Sequence, residues 1–312
     1  MSRATGRDRL LGAFLLGLLA VAVAVGLWRI SRQSDVARIA VVRRPERIMG
    51  TSCSIAAVVR RRDEDAAKQT LHDAERVLRG IEGRMSNWLD NSEVSQLNVA
   101  PPNQPAPLSP DTLEVLRASR DAHASTGGAF DVTCRPLIEL WNEAARRQAA
   151  PTDAEIVAAR DASQWKLLEL RDGAAVRLAS TVQVDLGGIA KGFAVDQALA
   201  VLKQAPCIGG LVDIGGDLAC FGQPPQGSVW IIDIQNPFTP EPMAKLRVVE
   251  GAVCTSGNYA RPQLIADHSF SHIIDPTSGR PTETTSSVTV LAPTAMAADI
   301  WATALSVLGV GR

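Results

Sequence analysis

The chain has 312 residues, 46% of them hydrophobic, which is enough apolar material for a real core and excludes a largely disordered protein. Lys and Arg number 32 against 33 Asp and Glu, a net charge of -1, so no basic field points to nucleic acid, and 4% aromatic residues argue against base-stacking platforms. Five cysteines, Cys53, Cys134, Cys207, Cys220 and Cys254, at irregular spacings and with no Cys-x-x-Cys, indicate neither a zinc site nor a disulfide framework and read as small buried hydrophobes.

Arg3, Arg7 and Arg9 precede an uncharged apolar run from Leu10 to Trp28. That length is close to the roughly 20 residues a helix needs to cross a bilayer, whereas a cleaved signal has a core of about 7 to 15. Residues 1–30 are therefore read as one N-terminal transmembrane helix, either a membrane anchor or an uncleaved signal, and no nearby cysteine offers a lipoprotein anchor. The leading arginines favour a cytoplasmic N-terminus and a globular body on the periplasmic side of the inner membrane, although Arg29 and Arg32 weaken the asymmetry. Residues 31–47, with Arg38, Arg43, Arg44 and Arg47, read as a basic linker near anionic lipid, and residues 48–312 as the folded domain.

Within that domain Cys53 to Val59 predicts a strand. A helix follows, with Ala67, Leu71, Ala74, Leu78, Ile81 and Met85 recurring at alternating steps of four and three. Asn91 to Asn98 and the proline-rich stretch 101–110 read as loop, and Pro110-Asp111 opens a second helix through Leu113, Leu116 and Ala124. Strands are expected near 175–178, 182–186, 211–214, 229–234, 246–250 and 287–292, and a last helix over Ala295 to Leu308. Because helices separate only some of the strands, the fold class is α+β, with mixed or antiparallel sheets and flanking helices.

Twice the chain runs from an apolar strand into an acid and a double glycine: Val184-Asp185-Leu186-Gly187-Gly188-Ile189-Ala190-Lys191-Gly192 and Val212-Asp213-Ile214-Gly215-Gly216-Asp217. Such glycines let a backbone approach a nucleotide-sized guest, and they equally make tight turns. Gly192 is followed by Phe193 and Ala194, so neither the P-loop nor the dinucleotide fingerprint fits.

Asp299 and Thr303 stand four residues apart on the last helix. That spacing puts a carboxylate and a hydroxyl on one face, hard oxygen ligands suited to Mg2+, and it also suits a buried Asp near a helix N-terminus with Thr as filler. His272, in Ser271-His272-Ile273-Ile274-Asp275-Pro276, is either a proton carrier, its ordinary pKa lying near working pH, or a structural residue. Thr126-Gly127-Gly128-Ala129-Phe130-Asp131 again sets glycines beside an acid, and Trp88 and Phe130 offer either a face for a flavin or purine ring or core packing. Thr255-Ser256-Gly257-Asn258-Tyr259 offers hydroxyls on a turn without the G-x-S-x-G elbow of a serine hydrolase.

The order of these segments is more specific than any one of them. Met49-Gly50-Thr51; Met85-Ser86 with Ser92-Glu93 and Asn98; Gly128 to Asp131; Val184 to Gly192; Ile214 to Asp217; Thr255-Ser256-Gly257; His272 to Pro281; and Val288 to Leu308 together resemble the ApbE family, the FAD:protein FMN transferases. The resemblance implies that FAD and Mg2+ bind together, that the pyrophosphate is split, and that FMN passes to a Ser or Thr hydroxyl of an acceptor flavoprotein domain with release of AMP. Carried over by position, Asp299, Thr303 and the main-chain carbonyl of Gly188 would hold the metal. Met49, Trp88, Ala129, Phe130, Asp131, Asp185, Lys191 and Ile273 would line the FAD site, and His272 would be the acid/base group, with Asp213 to Asp217 as a supporting loop. Trp88 stands where an aromatic residue, often Tyr, is usual in the family, and Gly188 where Ala or Thr is frequent. Family members usually continue past the last helix with a further strand and helix, and the departure here implies either a cost in stability or a bare sheet edge. Two other functions are compatible with the same residues: a Mg2+-dependent FAD pyrophosphatase that uses water as acceptor, and a non-catalytic flavin-binding protein.

Overall fold

The computed structural model describes residue 23 and residues 37–257, 263–283 and 285–310. Strand β1 (Arg38–Arg43) pairs with β2 (Cys53–Arg60), whose Cys53, Ile55, Ala57 and Val59 alternate into the main core while Val58 joins a second cluster. Helix α1 (Glu64–Met85) follows, and all six of its predicted apolar positions are buried. A smaller region comes next: α2 (Glu93–Val99), β3 (Pro105–Pro107), α3 (Pro110–Ser125), α4 (Arg135–Arg147), α5 (Asp153–Ala162), β4 (Leu168–Arg171) and β5 (Ala174–Arg177), with a three-stranded sheet in the order β3-β5-β4. The chain then returns through α6 (Ala190–Gln204), β6 (Gly209–Ile214) and β7 (Asp217–Gly222), a ribbon of β8 (Trp230–Gln235) and β9 (Pro242–Val248), and β10 (Gly251–Gly257). Two short pairs, β11 (Gln263–Ile265) with β12 (His268–Phe270) and β13 (Ile274–Asp275) with β14 (Arg280–Pro281), precede β15 (Ser287–Ala292) and α7 (Ala295–Leu308).

The main sheet has the order β1-β2-β6-β7-β10-β15, and its pairs are all antiparallel, which settles the mixed-or-antiparallel alternative. Helices α1, α6 and α7 cover one face in strand order: α1 over β1 and β2, α6 over β6 and β7, α7 over β10 and β15. The β8–β9 ribbon covers the other face through Trp230, Ile232 and Val248, packed with Val58, Cys220 and Val253. A satellite cluster of Leu137, Trp141, Ile156, Ile265 and Ile274 ties α4 and α5 to β11 and β13. Among the described residues β15 is an edge strand.

Four expectations need correction. Residues 182–186 do not form a strand: Gln183 makes an isolated bridge to Cys134, and the backbone groups of Val184 are taken by the Asn98 side chain instead of a ladder. Of the stretches expected as loop, residues 93–98 belong to α2, because Ser92 caps it by accepting from Ser95 N at 3.0 Å, and Pro105–Pro107, within 101–110, is β3, paired antiparallel with β5. Arg38–Arg43, inside the expected linker, is β1, held by Ile39 and Val41 against the core. Thr255 to Gly257 belong to β10 and not to a turn, with Thr255 Oγ1 2.9 Å from Thr289 Oγ1. The expected N-terminal transmembrane helix lies, apart from Val23, outside the described residues, among which no helix is long and apolar enough to cross a membrane.

Candidate active site

Backbone contacts at glycine bring the sequence motifs together. Gly215 has φ +62°, and a Cβ there would lie 2.6 Å from Thr51 Cγ2, so the Met49-Gly50-Thr51 turn presses on the second Asp-x-Gly-Gly segment. Met49, itself at φ 49°, donates its N–H to Glu82 Oε1 on α1 at 2.8 Å. Trp88 stands on the turn after α1 with 92% of its surface exposed. Asn98 Nδ2 joins that turn to the first segment, donating to Asn87 Oδ1 at 3.0 Å and to Val184 O at 2.9 Å.

The N-termini of α6 and α7 meet at Gly192. A Cβ on this residue would fall 2.3 Å from Ala295 O and 2.8 Å from Met296 Cα, so only glycine allows the approach. Asp196, one turn further along α6, fastens the junction by accepting from Ala295 N at 2.8 Å and Met296 N at 2.9 Å, capping α7 from outside. Asp299 is thereby brought to the start of α6, where its Oδ2 accepts from Gly192 N at 3.1 Å. A Cβ on Gly188 would lie 3.0 Å from Thr303 Oγ1 and 3.3 Å from Phe130 Cε2. Gly188, Thr303 and Phe130 therefore share one small space, one helical turn along α7 from Asp299.

Charge is concentrated here. Asp299 and Asp217 are 2% and 1% exposed. Lys191 Nζ is bonded to Asp217 Oδ2 and lies 3.9 Å from Asp299 Oδ1. Burial raises the Asp299 pKa, and the charge of Asp217 adds to the rise against the pull of Lys191 and the Gly192 N–H. Burial alone would lower the Lys191 pKa, but Asp299 and Asp217 outweigh it, and the ammonium stays charged. Among the described residues no three His, Cys, Asp or Glu side chains form a metal cluster. The group at hand is different: one carboxylate and one hydroxyl beside the Gly188 backbone, whose carbonyl the family resemblance would add, hard oxygens of the kind that fit Mg2+ when substrate phosphate and water complete the shell.

Asp131 follows Phe130 in sequence, and Asp185 comes two residues before Gly187 on the neighbouring segment. Their segments are joined by Asp185 N donating to Val132 O at 2.7 Å. Asp185 turns its own loop by accepting from Gly187 N at 2.8 Å, with Arg135 Nη1 3.4 Å from its second oxygen. Asp131 accepts from Thr133 N and Oγ1, both at 2.7 Å, and its other oxygen is 3.3 Å from His123 Nδ1. That last approach is electrostatic and not a well-aligned hydrogen bond; Asp131 raises the His123 pKa against the effect of burial. His123 stacks on Trp165 with centroids 5.9 Å apart. Both line a cavity of about 410 Å³ with Gly127, Gly128, Asp131, Arg160, Lys166, Pro276 and Thr277. The turn that follows His272 thus reaches the Asp131 side of the site. His272 is half-buried between β12 and β13, and Ile273 is buried with its carbonyl accepting from Thr282 N at 2.9 Å; Ala129 is buried beside Phe130.

The sequence profile of the ApbE family matches residues 49–312. The chain belongs to the ApbE family. It is 33% identical over 269 residues to the FAD:protein FMN transferase of Vibrio cholerae, a match covering 85% of this chain and 80% of that one. With the Haemophilus influenzae protein of the same name it shares 31% identity over 307 residues, 94% of this chain and 86% of the other. The solved flavin transferase ApbE from Vibrio cholerae superposes with a TM-score of 0.78 at 30% identity, covering 88% of this chain and 89% of that one.

Three residues of this ApbE-family site escape a reading of motifs alone. Asn98 was one letter in a motif until Val184 gave it two bonds. Asp217 read as part of a supporting loop, and nothing local reveals that Lys191 is its partner 26 positions away. Glu82 looks like any exposed-face helix acid until Met49 N is seen on it. A polar residue against apolar neighbours is the one local signal for Asn98, between Leu97 and Val99, and for Asp217, ahead of Leu218 and Ala219; Glu82, followed by Gly83 and Arg84, carries none.

Proposed function

We propose that the chain transfers FMN from FAD to a Ser or Thr hydroxyl of an acceptor flavoprotein domain, releasing AMP, with Mg2+ as cofactor. The observation that carries the reading is the meeting of Gly188, Asp299, Thr303 and Lys191 where α6 and α7 cross. It joins a lysine cation, hard oxygen ligands and a glycine edge at one point, the apparatus phosphoryl transfer needs, since that chemistry depends on positioning and charge more than on covalent work by side chains. Asp299, Thr303 and the Gly188 carbonyl would hold Mg2+, which when bound offsets phosphate charge. Lys191 orients the pyrophosphate; Trp88, with its free face, stacks on a ring of FAD; Met49, Ala129, Phe130, Asp131, Asp185 and Ile273 border the rest. His272 takes the proton of the acceptor hydroxyl as its oxygen bonds to the FMN-side phosphorus and the bond to AMP breaks.

In this reading residues 10–28 anchor the chain in the inner membrane, with the folded domain on the periplasmic side; their length and the arginines before them support it. The deciding experiment incubates the purified protein with FAD, Mg2+ and a candidate acceptor domain and weighs the products. A mass gain of one FMN on the acceptor, with AMP released, is expected. Free FMN and AMP with an unmodified acceptor would mean hydrolysis, and unchanged FAD would mean binding alone.

A further inference from the structure

One buried carboxylate at the site has no part in the chemistry described so far. Asp217 opens β7 straight after Gly215 and Gly216, both at positive φ, and is 1% exposed. Its carboxylate holds the Lys191 ammonium. The same ammonium stands 3.9 Å from Asp299 Oδ1, beyond hydrogen-bond reach, while Asp299 Oδ2 faces the Gly192 N–H. One cation therefore lies between two buried acids and bonds to only one. The groups around it leave that choice undisturbed. Asp213 is occupied by the Gly216 N–H at 2.9 Å. The Cys254 thiol is kept neutral by burial and by both carboxylates, so it does not compete for the ammonium.

We propose that Asp217 is a positioning residue that holds the Lys191 ammonium off Asp299, keeping the Asp299 carboxylate free for a divalent cation. The proposal rests on the metal-site reading of Asp299 given above. An ammonium on a side chain only 26% exposed is costly to leave without a partner, and a lysine stem is flexible. Once Asp217 no longer claims it, the Asp299 carboxylate is within 4 Å, and a shift of about 1 Å makes a charge-assisted hydrogen bond. Asp299 and Lys191 would then neutralise each other, and an incoming cation would have to break that pair. Plain charge attraction also predicts weaker cation binding when Asp217 is neutralised, but it does so with or without Lys191. Collapse of Lys191 onto Asp299 requires Lys191 to be present.

The test is a double-mutant cycle read by calorimetry, with Mg2+ titrated into the purified full-length protein at saturating FAD and turnover measured beside it. Asp217→Asn is expected to weaken Mg2+ binding by roughly tenfold or more. In the Lys191→Met background the same substitution is expected to change Mg2+ affinity by less than about twofold, and Asp217→Glu is expected to restore most of the affinity. An Asp217→Asn penalty of equal size in both backgrounds overturns the proposal in favour of plain charge attraction. Full Mg2+ affinity in Asp217→Asn, with loss in Asp299→Ala, overturns this proposal alone, whereas full affinity in Asp299→Ala overturns the metal-site reading with it. If Asp217→Asn does not fold, Asp217→Ser replaces it in both backgrounds, and the same comparison decides: a penalty confined to the protein that keeps Lys191 supports the proposal, and a penalty of equal size in both, or none in either, overturns it.

Discussion

Asn98 holds Val184 by both backbone groups: Nδ2 donates to Val184 O at 2.9 Å, and Oδ1 accepts from Val184 N at 2.6 Å. The pair spans 86 positions and pins the Asp185–Gly192 segment beside the turn that carries Trp88. Asn98→Ala leaves a buried donor and acceptor unpaired, each costing about 1–3 kcal/mol. A lower melting temperature and a raised KM for FAD are expected together; an unchanged KM would separate this bond from the site.

Trp88 supports nothing in the fold, being 92% exposed. Trp88→Ala is expected to leave the melting temperature where it is and to weaken FAD binding by about 0.5–1.5 kcal/mol, roughly two- to tenfold. Fluorescence titration with FAD checks this, and an unaltered affinity removes Trp88 from the flavin site.

Two glycines on helices make opposite forecasts. A Cβ on Gly192 would overlap the Ala295 carbonyl at 2.3 Å, backbone that cannot swing aside, whereas a Cβ on Gly83 in α1 meets nothing within 4 Å. Gly192→Ala is expected to destabilise by about 1–3 kcal/mol or more and to misplace Asp299. Gly83→Ala is expected to stabilise by about 0.5–1 kcal/mol through reduced backbone freedom in the unfolded chain. Thermal denaturation of both variants compares them directly.

His123 supplies a pH signature away from the metal ligands. Asp131 raises its folded-state pKa against the effect of burial. A raised histidine pKa adds stability that is fully present below the unfolded value of about 6.5 and disappears as pH rises through the folded value. The stability gap between the protein and His123→Gln should therefore be widest in mild acid and narrow above neutrality. An NMR titration should place the His123 midpoint above its ordinary value, and a midpoint below it contradicts the pair.

Asp299→Ala is expected to reduce flavin transfer at least about a hundredfold, in line with the loss of several kcal/mol of charge stabilisation at phosphate. Product mass spectrometry with an acceptor domain measures it. Retained transfer would exclude Asp299 from the metal site.

Much of the frame is legible in the sequence. The four-three spacing of Ala67 to Met85 marks α1, and all six positions are buried. The last helix keeps its expected limits, Ala295–Leu308, and the four-residue step from Asp299 to Thr303 already put both on one face. Where local pattern misled, a polar partner intervened. Val182 to Leu186 alternates with strand-like residues, but Asn98 takes the Val184 backbone groups; Arg38–Arg43 hides between its arginines two partly buried residues, Ile39 and Val41, that pack on the core; Ser92 caps a helix where the pattern suggests a loop.

Periodicity and family resemblance, both properties of the linear chain, determined the α+β class, the buried helix faces and the identity of the motifs. Which glycine had to be glycine, which of two acids holds Lys191, and why Asn98 matters were settled by the fold. These are pairings across 26 to 107 positions, and each exists because a buried donor, acceptor or charge must find its partner wherever packing puts one.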